Sequence, residues 1–132
     1  MARFDHTDPN TGTFRARLEA TWLDADVGVV RGVGLNANGR AVKGAGASGL
    51  KGVVALGMVR NARHPIDVMT TGEILDVTDN EVTGTLAAGI NIYCVPGTGL
   101  LTVTATGNVY VGHMVEIDRL IVRFGMFPEV SA

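Results

Sequence analysis

Three histidines, His6, His64 and His113, one cysteine, Cys94, and two serines, Ser48 and Ser131, are the side chains here that most readily serve as nucleophiles, bases or soft metal ligands. A structural metal site needs several such donors at close spacing, of the His-x₃-His kind. The histidines are scattered too widely to seed one, and His113 interrupts an apolar strand, where it reads as a hydrogen-bonded or surface residue. Cys94 cannot close an intramolecular bridge, and its apolar surroundings make it a reduced, packed thiol. Neither serine stands in a nucleophile-elbow sequence, and Ser131 is almost at the C-terminus.

Carboxylates offer acid–base or calcium chemistry when they converge. Glu73 with Asp76, and Glu116 with Asp118, are the closest pairs, but each reads as a solvated strand edge. Asp76, Asp79 and Glu81 lack the alternating oxygen ligands and central glycine of an EF-hand loop, so a solvated turn is expected there. Gly44-Ala45-Gly46-Ala47-Ser48-Gly49 has the G-x-G-x-x-G spelling that lets a helix N-terminus approach a pyrophosphate. That mechanism requires a helix immediately afterwards. The sequence continues instead as Leu50-Lys51-Gly52-Val53-Val54-Ala55-Leu56, a β-branched run, so a flexible loop is expected. No catalytic residue, cofactor or metal follows from these patterns.

The elements that would have to position such groups read as strands throughout. Residues 87–124 hold β-branched runs cut by Pro96-Gly97, Gly99 and Gly107-Asn108, the punctuation of short strands and tight turns. Leu120, Val122 and Phe124 alternate with Arg119, Ile121 and Arg123, as a half-buried strand requires. Phe14, Leu18 and Trp22 are spaced by four, which would also suit a helix. Arg15, Arg17 and Glu19 fall together on one face of a strand, however, and favour that reading, with Trp22 packing under the domain or at a contact. Further strands are expected over Val29 to Leu35 and Arg40 to Lys43, joined by a type I′ turn at Asn38-Gly39. Others follow over Lys51 to Val59, over Pro65 to Met69 and Glu73 to Val77 around a turn at Thr71-Gly72, and over Ile90 to Tyr93. The expected architecture is all-β, one small barrel or sandwich of short antiparallel strands over residues 14–125. It is preceded by a turn-rich, mobile arm at 1–13 and followed by a tail at 126–132.

With 132 residues, a single domain buries roughly two thirds of the surface its unfolded chain exposes, enough for a core without staples. Charged residues are 18% of the chain against about 25% in typical domains, a lightly charged surface that suits a protein covered by partners. A net charge of −2 and the lack of any Lys/Arg cluster argue against nucleic-acid binding. No apolar run approaches the ~18 residues of a membrane span, and Met1-Ala2-Arg3-Phe4-Asp5-His6 lacks a signal-peptide core. A soluble protein without an export address, made in a reducing compartment, is therefore expected.

Four stretches in the C-terminal half carry a resemblance: Ile66-Asp67-Val68-Met69-Thr70-Thr71-Gly72-Glu73-Ile74, Ala88-Gly89-Ile90-Asn91-Ile92-Tyr93, Thr104-Ala105-Thr106-Gly107-Asn108-Val109-Tyr110-Val111-Gly112 and Asp118-Arg119-Leu120-Ile121-Val122-Arg123-Phe124. Their order resembles that in the small capsid decoration, or cement, proteins of tailed bacteriophages, whereas Phe14 to Trp22 matches nothing in that pattern. The resemblance implies a β-tulip-like, non-enzymatic protein made in the host cytoplasm. It would add to the outer surface of the expanded virion head, contacting the major capsid protein as a homotrimer at threefold or quasi-threefold positions. Arg3, Phe4, Phe14, Trp22 and Leu23 are the expected capsid or subunit contacts, with the arm able to extend a sheet edge on the shell. Two competing readings are a small β-sandwich ligand- or carbohydrate-binding module of a virion or surface appendage, and a small trimeric hydrolase. The first would usually show several exposed aromatics, and the second needs converging Asp, His and Lys residues.

Overall fold

Strand-forming residues interrupted by glycine do give an all-β chain. The computed structural model describes residues 12–22, 28–56, 58, 60–77 and 82–123, and among them there is no helix. Ten strands follow in order: β1 (Gly12–Arg17), β2 (Val30–Leu35), β3 (Ala41–Lys43), β4 (Leu50–Ala55), β5 (Pro65–Asp76), β6 (Val82–Thr83), β7 (Asn91–Cys94), β8 (Leu101–Thr102), β9 (Val109–Glu116) and β10 (Arg119–Arg123). They form one curled sheet in the order β3-β2-β4-β5-β10-β9-β7-β8-β6, with β1 paired to β5 off this path. The sheet is mixed, because the β6–β8 pair is parallel while the other strand pairs are antiparallel.

Two expected turns come out differently. Thr71-Gly72 does not reverse the chain: Pro65 to Asp76 is one strand of 12 residues, and Gly72 takes φ +89° inside it. The β10 register skips there, Ile121 facing Ile74 and Arg123 facing Thr71, so the glycine makes a bulge that bends β5 without ending it. At the β2–β3 hairpin, a type I′ turn would need positive φ at both Asn38 and Gly39, and only Gly39 has it. The Asn36 side chain explains the difference: its Oδ1 accepts from Asn38 N at 2.9 Å and Arg40 N at 3.0 Å, which shapes a longer loop.

β5 organises the sheet because it changes partners along its length. β1 pairs with Pro65 to Thr71, and β10 with Thr71 to Asp76. Met69 faces both Thr13 of β1 and Val53 of β4, so those two strands lie on opposite edges of β5. A parallel bridge between Leu18 and Ala41 then joins the end of β1 to β3 and closes a ring of β1, β5, β4, β2 and β3. Inside that ring sit Ala16, Leu18, Trp22, Val33, Ala41, Val54, Leu56, Ile66 and Val68. A second core, including Val30, Leu50, Val53, Ile92, Cys94, Leu101, Met114, Leu120 and Val122, lies between the other face of this wall and the sheet from β5 to β6. Val53 and Val54 are neighbours in β4, exposed by 0% and 1%, and alternation sends one into each core. β4 is thus a partition buried on both faces.

The two halves lock together where backbone meets backbone. Gly32 N donates to Gly99 O at 2.7 Å, Gly44 N to Gly32 O at 3.0 Å and Ala45 N to Pro96 O at 2.7 Å, so the loop between β7 and β8 continues the edge of β2. A side chain at Gly32 would collide with Cys94 Sγ, and one at Gly44 would meet Pro96 O at 2.6 Å. The 44–49 segment is a loop, as expected, and its start is packed: Gly44 N and Ala45 N bond to Gly32 O and Pro96 O, while Gly46, Ala47 and Ser48 are exposed. It runs into β4, with no helix to receive a phosphate.

Gly32→Ala is expected to lower unfolding free energy by about 1–3 kcal/mol through overpacking, read as a shift in urea midpoint. Gly97→Ala, in the same crossing loop but with open space around its Cβ position, should stay within about 0.5 kcal/mol of the parent.

Candidate interaction surface

Strand alternation on the second sheet sets its outward face. Leu120 and Val122 point into the core, so Arg119, Ile121 and Arg123 point away from it. The register then aligns Ile74, Ile121, His113 and Asn91 in one row across β5, β10, β9 and β7. Tyr93 faces Tyr110 beside this row, their rings 5.9 Å apart and inclined at 67°. Burial pushes the Tyr110 hydroxyl above its ordinary 10, with the Arg123 charge acting against the shift and Tyr93 adding to it.

Toward the β9–β10 turn the face becomes apolar and open. Ile74 is 48% exposed, Val115 40% and Ile117 66%. Single exposed aliphatics are ordinary, but these are gathered at one end of the sheet. Carboxylates rim them: Asp76 and Glu116 lie 3.9 and 3.6 Å from the Arg119 guanidinium, and Asp118 is exposed in the turn. Sequence reading passed over this patch. Its signal was the pattern Val115-Glu116-Ile117-Asp118, which puts isoleucine where a turn usually holds a small polar residue.

The expected contact residues fare differently. Trp22 is 2% exposed inside the first core, with Lys43 Nζ 5.6 Å from its ring centroid, so it packs under the domain and offers no surface. Phe14 is half-buried against the same core. Arg3, Phe4, Leu23 and almost all of the 1–13 arm lie outside the described residues, as do Phe124, the 126–132 tail, Asp79 and Glu81. Among the described residues no three His, Cys, Asp or Glu side chains are grouped to hold a metal.

One polar cluster does converge. Glu19 accepts from Asn36 Nδ2 at 3.0 Å and Arg63 Nη1 at 3.0 Å, with Arg40 at 3.5 Å. Arg63 has φ 72°, rare for a residue with a side chain. It is held there by bonds from its N to Leu18 O at 2.8 Å and from Nη1 to Glu19 O at 3.1 Å. The cluster ties the β2–β3 loop to the turn before β5. Partial burial pushes the Glu19 carboxyl up, but the Asn36 hydrogen bond and the Arg63 and Arg40 charges outweigh it and hold it below its ordinary 4.5. Every partner belongs to the scaffold, so the role is structural.

No family model matches the chain, and no curated protein matches it. A chain from Mycobacterium phage Patience has a similar structure, with a TM-score of 0.68 and 21% identity, over 96% of this chain and 97% of that one. At this identity the likeness establishes a shared fold across nearly the full length of both.

Because the Glu19 carboxyl is depressed by folding, its stabilisation is complete above pH 4.5 and is lost as pH falls through the lower folded value. Thermal unfolding followed across that acid range should show a steeper loss for the parent than for Glu19→Gln. Burial pushes the Cys94 thiol up to about 12, a backbone hydrogen bond with Gly32 opposing it. A thiol reagent at neutral pH should therefore leave the folded protein unlabelled and take up one equivalent in denaturant.

Proposed function

We propose that the chain is a structural protein of a phage virion that adds to the outer surface of the assembled, expanded head and stabilises it. It binds the major capsid protein as a homotrimer at threefold or quasi-threefold positions and catalyses no reaction. The observation that carries this reading is the end-to-end structural likeness to a phage chain, taken with the ordered C-terminal motifs that resemble decoration proteins. The physical logic agrees with it. Attachment must offset about 4–15 kcal/mol of lost translational and rotational freedom, and a symmetric oligomer meets that cost with several weak contacts acting together.

The side chains of the second sheet support a protein-binding face over a sugar-binding one. Carbohydrate sites stack flat rings against the ligand, whereas Tyr93 and Tyr110 meet edge to face and are both half-buried.

Co-sedimentation with purified shells tests the proposal. Binding to expanded heads, with little to unexpanded ones, is the expected result. Binding to neither would overturn it and favour a ligand-binding module.

A further inference from the structure

The chain is electrically divided. Residues 12–67 carry eight Lys or Arg against four Asp or Glu, while residues 68–123 carry two against six. The division follows the fold, since the first range supplies four strands and the start of β5, and the second supplies the rest of β5 and β6 to β10.

β5 keeps the two signs apart. At its start Asp67 pairs with Arg15 at 3.2 Å, and beside them Arg17 Nη1 donates to Arg63 O at 3.0 Å. At its far end Asp76 faces Arg119. Nine residue steps of strand separate Asp67 from Asp76, up to about 30 Å at ~3.3 Å per residue. That is several times the screening length of about 8 Å at physiological salt, so the acidic end cannot be neutralised by the arginine-bearing end of its own chain. A neighbouring copy can bring the two together.

We propose that the chain associates head to tail with a second copy of itself. The apolar tip of Ile74, Val115 and Ile117, rimmed by Asp76, Glu116 and Asp118, docks on the β1 end of the neighbour, which presents Arg15 and Arg17. The proposal deepens the homotrimer of the preceding section and rests on that reading. It is a heterologous contact, using two different patches on each copy, and such contacts close into rings when the rotation allows. Three copies then bury three identical joints and leave no apolar tip in water. Within each joint, the apolar tip supplies affinity, while the opposed charges set orientation and the speed of encounter.

Sedimentation equilibrium of the isolated full chain tests the joint. Concentration-dependent association is expected, weakening at least about tenfold as salt is raised from about 0.01 M to about 1 M, over which screening lengths shrink from roughly 30 to 3 Å. Ile117→Asp, at an exposed turn position with no core contact, should be monomeric, with the melting temperature that the parent shows when diluted below its association range. Glu116→Lys with Asp118→Lys, and separately Arg15→Glu with Arg17→Glu, should each lose association, and the chain carrying all four substitutions should regain it. A parent chain that stays monomeric at low salt, or an Ile117→Asp chain that assembles like the parent, would overturn the joint. Shell binding is read separately: self-association without it upholds the joint and overturns attachment, and binding by a chain that never self-associates does the reverse.

Discussion

The backbone crossing at Gly32 is the constraint on which the fold depends. There β2 is bonded to Gly44 and Gly99 at once, so close that a Cβ on Gly99 would meet Gly32 O at 2.3 Å. Without that approach, the loop between β7 and β8 could not lie along β2, and the second sheet would lose its anchorage on the first ring. Gly44 and Gly46 are spent in the same way, against the backbone of Pro96 and Leu35. A spelling associated with phosphate binding here reflects how closely two backbones must run.

Strand content was legible because alternation and turn residues are local signals. The outward and inward rows of β10 follow directly from Arg119-Leu120-Ile121-Val122-Arg123, and Cys94 reads as buried from its apolar neighbours alone. What could not be read was long-range. Gly72 has the composition of a turn, and whether positive φ reverses a strand or only bulges it depends on β10 arriving about 50 residues later. Asn38-Gly39 has the spelling of a type I′ turn, but Asn36 overrides it with two hydrogen bonds. Trp22 was recognised as either core or contact. The choice was settled by Ala41 and Val54, strands remote in sequence that close a ring around it.

The surface was less legible than the core. Phe14 and Trp22 drew attention as the large apolar residues near the front of the chain, yet they serve the first core. The exposed aliphatics came instead from Ile74 and the β9–β10 turn, with Met58 and Leu100 also open. A Val or Ile on a strand is uninformative until pairing shows which face it takes.

The double membership of β5 also sets the order in which the molecule can be built. As the polypeptide emerges during synthesis, the first ring can close once residue 76 is free, since all five of its strands are then available. The partition strands would at that moment show Val30, Leu50 and Val53 to water, a sticky flank that stays bare until β7 to β10 are translated and fold over it. The bent strand unites the two cores, giving Ile66 and Val68 to one and packing Met69 and Leu75 against the other.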